Sequence, residues 1–295
     1  MIIGLIGRIG GQSDSAHKNL KIKTINLIDK IKFRGHSIII ESDTAKNFSI
    51  NSKDNIGDIE YIAKIADICI VMGGDGTMLN AAKLIKDSIP ILGINLGNVG
   101  FITDVPFDFD FDLLIDMLEK KEYSIENRTM LKLSTESSES YATALNDVVV
   151  SRATGKIIEF DIQIDREHAY TARGDGLMVT TPTGSTAYAL SGGGPIIHPN
   201  ARVLEILPIM AQSMSTRPLI VNDMSEITFN LIKGDAEIFV DGNMFSVMYP
   251  GMTIKIIRSN VFVKFIHPYT KELKYSYYKT LSEKLNWHFL PGTQR

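Results

Sequence analysis

Apolar residues in this chain keep two different periods, and the change near Glu126 restricts the fold. Before it, short apolar runs alternate with helical patterns. Ile2–Ile6, Ser37–Glu41, Ile68–Met72 and Ile91–Asn95 read as strands. Between them, Leu20, Ile25, Leu27, Ile28 and Ile31 fall at helical spacing, with Gly35 where that helix would stop. Ile56–Ala66, Met78–Lys86 and Phe111–Lys121 read as further helices. Strands separated by helices imply βαβ units and a parallel sheet.

Beyond Glu126 the helical period nearly vanishes. Met130–Ser134, Thr143–Val150, Glu159–Ile164, Leu177–Thr181, Glu226–Leu231, Glu237–Val240, Thr253–Ile257 and Val261–Ile266 read as successive strands. Turn signals such as Asp241-Gly242-Asn243 separate them. The segment Gly184–Leu207 reads instead as a Gly- and Ser-rich loop followed by helix, and Tyr275–Trp287 as a terminal helix. The expected fold is an α/β N-terminal domain with a parallel sheet over 1–126 and an all-β sandwich domain over 127–269. Residues 270–295 are expected to pack back on the first domain.

Composition removes several functions. Thirty-one Lys and Arg residues face 34 Asp and Glu residues, for a net charge of −3, so a nucleic-acid partner is not expected. No apolar stretch is long enough for a transmembrane helix and Met1–Gly7 does not read as a signal peptide, so no membrane partner is expected. The single cysteine, Cys69, excludes intrachain disulfides and fits a cytoplasmic protein. The six histidines show no metal-ligand spacing and read as structural or exposed.

Four segments carry candidate chemistry. Gly73-Gly74-Asp75-Gly76-Thr77 follows a strand and opens a helix. Its glycines permit φ > 0 and close ligand approach, and its N–H groups suit phosphate. Asp75 can then accept a proton from an attacking hydroxyl or bind a metal that bridges phosphates; the plainer alternative is a strand-to-helix turn with an Asp N-cap. Asn95-Leu96-Gly97-Asn98-Val99-Gly100-Phe101 follows the next strand, either as a second ligand loop or as a turn needing glycine dihedrals. Arg173-Gly174-Asp175-Gly176 leads to the strand before Pro182–Pro195, a run of small and hydroxyl residues with Tyr188 as a stacking surface, or a loop that only caps a helix. Asn146-Asp147 is weak by itself, since such pairs are common in turns. A Walker loop is absent, and the glycines at 4, 7, 10 and 11 lack dinucleotide-fold spacing.

Taken together, Gly73–Thr77, Asn95–Phe101, Asn146-Asp147, Asp175-Gly176, Pro182–Tyr188 and Tyr278–Ser282 resemble the bacterial NAD kinase family over nearly the whole chain. The resemblance implies transfer of the terminal phosphoryl of ATP to the adenosine ribose 2′-hydroxyl of NAD, giving NADP. It implies Asp75 as the catalytic acid that takes the hydroxyl proton. It implies Gly73, Gly74, Gly76 and Thr77 at the donor phosphates. Asp75, Gly76, Asn146, Asp147, Lys156, Arg173, Asp175, Thr186, Ala187, Tyr188, Ala189, Leu190, Ser191 and Asn243 match family positions near NAD. Many members carry Glu where this chain has Asp147. Mg2+ or another divalent metal would accompany ATP, and assembly as a homodimer or homotetramer would be usual.

Overall fold

The computed structural model describes residues 1–7, 15–50, 55–96, 100–135 and 141–287. It divides into two compact units, residues 1–127 with 263–295, and residues 128–262. The second break falls inside a long strand and not at residue 269.

In the first unit the chain runs β1 (Ile2–Gly7), α1 (Ser15–Phe33), β2 (Ser37–Glu41), α2 (Ser42–Phe48), β3 (Asn55–Gly57), α3 (Ile59–Ile65), β4 (Ile68–Gly73), α4 (Asp75–Ile85), β5 (Ile91–Asn95), β6 (Val105–Pro106) and α5 (Phe111–Lys120). The strand order β5-β4-β1-β2-β3 is parallel throughout. Every residue of β4 and β5 is buried, as expected for strands covered on both faces. Leu27 and Ile31 of α1 and Leu114, Ile115 and Leu118 of α5 share one apolar cluster with Ile3, Leu5, Ile70 and Leu92. Helix α1 stops where Gly35 takes φ +78°, so that the Gly35 N–H reaches Lys32 O and the His36 N–H reaches Ile31 O. The chain fills β1, β2 and β3 in one direction and then crosses to β4 on the other side of β1. The carboxyl ends of β1 and β4 therefore flank the place where open α/β sheets bind ligands.

In the second unit come β7 (Tyr123–Thr135, entering from the first unit), β8 (Tyr141–Ala144), β9 (Asp147–Arg152), β10 (Ile158–Ile164), β11 (Glu167–Gly174), β12 (Gly176–Thr180), a 3-10 turn (Gly184–Thr186) and α6 (Tyr188–Ser191). They are followed by β13 (Val203–Ile209), β14 (Leu219–Asn222), β15 (Ile227–Lys233), β16 (Ala236–Val240), β17 (Asn243–Met248) and β18 (Thr253–Pro268). One antiparallel sheet has the order β14-β13-β12-β9-β16-β17; the other joins β11, β10, β15 and the start of β18. Val148, Val150, Val179, Leu204 and Ile206 of the first sheet share a core with Phe160, Ile162, Phe229 and Ile254 of the second, so the unit is a sandwich. The end of β18 lies in the first unit, where Phe265 pairs with Ile91, followed by α7 (Tyr277–Lys284).

Several expected elements are revised. The segment ending at Leu207 is not helical after its small residues: residues 203–209 form β13. There Leu204 and Ile206 enter the sandwich core, while Leu207 packs with Val149 and Met178 on the opposite face. Thr143–Val150 is two strands, interrupted at Leu145-Asn146. Residues 253–268 form one strand, where two were expected. Ile56–Ala66 is a three-residue strand followed by a helix, capped when Asp58 accepts from the Tyr61 N–H. Edge strand β11 and the seven-residue α2 were not expected. The first is largely polar, and the second is too short to show a stripe.

Glu205 is buried on β13 between Thr180 of β12 and Ile220 of β14, and neither carboxyl oxygen has a hydrogen-bond partner. Burial pushes its pKa up to about 7. The folded state thus holds a proton that the unfolded chain releases near pH 4.5, so stability falls as pH rises from there to about 7. Glu205→Gln is expected to flatten that decline and to gain up to about 3 kcal/mol at pH 8, with little change at pH 4, in urea unfolding series at the two pH values.

Candidate functional site

Asp75 is the first residue of α4, and Gly74 is its N-cap, in extended backbone at φ −92°, ψ −174°. The plain Asp-cap alternative is thereby excluded: the Asp75 side chain turns away from its own helix. The Phe101 N–H donates to its Oδ2 at 2.9 Å, and the Ile102 N–H to its Oδ1 at 3.3 Å. The Thr103 hydroxyl also donates to Oδ1 at 3.4 Å and accepts from Asn95 Nδ2 at 2.9 Å. Since Gly73 pairs with Asn95, the ends of β4 and β5 lie side by side and bring the two predicted loops together. Gly97, Asn98 and Val99 lie outside the described residues.

The glycines serve for space, not for dihedral freedom. None of Gly73, Gly74 and Gly76 has positive φ, contrary to the sequence expectation. A Cβ on Gly100 would lie 2.2 Å from Asp75 Oδ1, and one on Gly73 would lie 2.5 Å from the Thr77 side chain. Among the described residues, nothing lies within 4 Å of where a Cβ on Gly74 or Gly76 would stand. The first N–H groups of a helix have no partner within it, and at α4 no side chain caps them. An anionic group can approach the backbone there.

In the second unit Asn146 lies in the break between β8 and β9, and Asp147 is the first residue of β9. The Asp241 carboxylate accepts three consecutive N–H groups, from Leu145 at 3.0 Å, Asn146 at 2.7 Å and Asp147 at 3.1 Å. The Asn146 carbonyl accepts from the Thr181 N–H and the Thr180 hydroxyl, both at 2.9 Å. Gly184 is pressed against the same carbonyl, where a Cβ would stand 2.3 Å from it. Thus the Thr180–Ser185 run is built onto Asn146-Asp147. Asp241, with φ +47°, and Gly242, with φ +76°, make the turn that aims this carboxylate, and Asn243 Nδ2 donates to Asp241 O at 3.3 Å. Sequence reading took Asp241 only as a turn residue and missed its role as acceptor.

Thr186, Ala187, Tyr188, Ala189, Leu190 and Ser191 continue that run, with Tyr188 and Ser191 exposed and Ala189 fully buried. Asp175 stands at the other end of β12 from Thr181, about 20 Å away at the rise of a strand. There Arg152 Nε contacts its Oδ1 at 2.9 Å, a partner the sequence did not reveal. Arg173, which pairs with Glu159 at 3.1 Å, and exposed Lys156 belong to that end too. The predicted NAD residues of this unit therefore fall into two groups along one strand.

Family models for the ATP-NAD kinase N-terminal domain and C-terminal domain match residues 26–123 and 145–268. This chain belongs to the NAD kinase family. NAD kinase from Thiobacillus denitrificans is 38% identical over 291 residues, 97% of this chain and 96% of that protein. NAD kinase from Ralstonia nicotianae is 36% identical over 98% of this chain and 94% of its own length. Among solved structures, yeast NADH kinase complexed with NADH has a TM-score of 0.83 at 21% identity, covering 100% of this chain and 89% of that one. An NAD kinase from Archaeoglobus fulgidus in complex with ATP has a TM-score of 0.72 at 24% identity, covering 97% and 99%. These two likenesses bear on the fold, an α/β unit followed by an antiparallel β unit. Among the described residues no helix is long and apolar enough to cross a membrane.

In this NAD kinase family member the three-way grip of Asp241 is the main support of Asn146-Asp147. Asp241→Ala leaves three N–H groups without their acceptor. A loss of about 2–4 kcal/mol is expected from denaturant unfolding, with Gly242 left in place to keep the turn.

Proposed function

We propose that the chain transfers the terminal phosphoryl of ATP to the adenosine ribose 2′-hydroxyl of NAD, giving ADP and NADP. The observation that carries this reading is a carboxylate, Asp75, held by 101–103 beside an open helix N-terminus in a member of the NAD kinase family. The 2′-oxygen attacks the γ-phosphorus, the bond from that phosphorus to the bridging oxygen breaks toward ADP, and Asp75 takes the hydroxyl proton. Backbone N–H groups at Gly74–Gly76 face the charge of the donor phosphates, with Gly73 allowing Thr77 to fold close.

On the second unit, Asn146, Asp147 and the Thr186–Ser191 run are assigned to one nucleoside of NAD, with exposed Tyr188 as a stacking surface. Asp175, with Arg173 and Lys156 near it, is assigned to the other. An extended dinucleotide has the length to reach both ends of β12. Asn243 is assigned beside Asn146, because both are tied to Asp241. Among the described residues no group of three or more His, Cys, Asp or Glu side chains is arranged to hold a metal ion. Mg2+ enters as part of the Mg-ATP substrate, with the phosphates as its main ligands. A homodimer or homotetramer in the cytoplasm completes the reading. The lone buried Cys69, whose thiol pKa burial pushes up, suits a reducing compartment.

The direct test is incubation with Mg-ATP and NAD followed by detection of NADP. Asp75→Asn keeps the shape but cannot take the proton; kcat is expected to fall about 10²-fold or more, with NAD binding retained in calorimetry. Near wild-type turnover in that variant overturns the assignment. Gly76→Ala meets open space and ordinary φ, so its melting temperature should hardly change, whereas the KM for Mg-ATP should rise several-fold if phosphates occupy that space.

A further inference from the structure

Near Asp75, within the same unit, lies a buried cluster that the phosphoryl-transfer reading leaves unused. His267, on β18, is 3% exposed. Its Nδ1 is hydrogen-bonded to the Asp104 carboxylate, and its Nε2 lies 2.7 Å from Glu126 Oε2. The Tyr275 ring stacks on the imidazole at 3.9 Å between centroids, 14° from parallel. Burial opposes a charge on the ring, but the hydrogen bonds and the attraction of Asp104 and Glu126 outweigh it and hold the His267 pKa above its ordinary value. Each ring nitrogen faces a carboxylate, and the ring ties β18 to the segment after β5 and to β7.

Asp104 directly follows Phe101, Ile102 and Thr103, the three residues that grip the Asp75 carboxylate. On the other side of Asp104, Val105 pairs with Ile94 of β5. The gripping segment is therefore fixed at its C-terminal end by a strand pairing and by a buried ion pair. We propose that His267 is a positioning residue for Asp75, holding Asp104 so that the 101–103 segment keeps the carboxylate aimed. It rests on the reading of Asp75 as proton acceptor. Neither His267 nor Asp104 touches the reacting atoms. Their effect passes through the two N–H groups and one hydroxyl on Asp75, where a small displacement of the acceptor lowers the rate more than it lowers binding.

The test uses His267→Gln, which cannot face both carboxylates as the ring does, and Asp104→Asn, which keeps the shape on the other side of the contact. Each is made in the wild type and in Asp75→Asn, with a thermal melt for every protein; if His267→Gln fails to fold, Asp104→Asn carries the test. In the wild-type background kcat should fall about tenfold or more while the KM values for NAD and Mg-ATP stay within about twofold. In the Asp75→Asn background the same changes should lower kcat by no more than about twofold, because the group they position has already been disabled. A purely structural role predicts losses that multiply in the two backgrounds, and that result overturns the proposal. Folded variants with wild-type kcat overturn it as well. If Asp75→Asn alone keeps normal turnover, the base assignment falls and takes this proposal with it, an outcome visible before any His267 variant is made.

Discussion

A carboxylate at the first turn of a helix usually closes that helix by accepting its own N–H groups. Asp75 does the opposite: it accepts from Phe101, Ile102 and Thr103, on the segment beyond the neighbouring strand. Two consequences follow from this one set of contacts. The N-terminus of α4 is left without a capping side chain and can receive an anion. The carboxylate is also fixed by groups belonging to a rigid parallel sheet, since Thr103 is bound in turn to Asn95 at the end of β5. The Asp75 carboxylate and the start of α4 thereby stand together at the carboxyl end of β4, beside that of β5.

The second unit repeats the device with other residues. Asp241 gathers three successive N–H groups, and the Asn146 carbonyl gathers Thr180 and Thr181. In both places polar backbone exposed by a strand break is satisfied by a side chain distant in sequence, which gives the irregular segment a single conformation. Glycines at 100 and 184 are needed because atoms of the opposing segment occupy the space of a side chain. At Gly74 and Gly76, by contrast, none of the described residues stands within 4 Å of where a Cβ would lie.

Much of this was legible in the chain. The change of apolar period near Glu126 located the passage from α/β to all-β, because burial on both faces of a parallel strand and on one face of a sandwich strand leave different patterns. Gly73–Thr77 and Pro182–Tyr188 were legible as contiguous runs of small residues, which close backbone packing demands at Gly73 and Gly184. What failed were elements without a period: polar edge strand β11, short α2, and β13, whose buried Glu205 interrupts an apolar run.

By itself, then, the sequence determined the fold class, the family and the identity of Asp75, Asn146 and Asp147 as residues of interest, since local pattern and contiguous motifs suffice for those. Tertiary structure alone decided what holds them. Asp241 lies 95 positions from Asn146, Thr103 28 from Asp75, and His267 163 from Asp104. Such partners carry no signature of their own: an Asp that reads as a turn, a Thr after a loop and a lone His look ordinary until folding brings their polar atoms within hydrogen-bond distance and removes the water that would otherwise satisfy them.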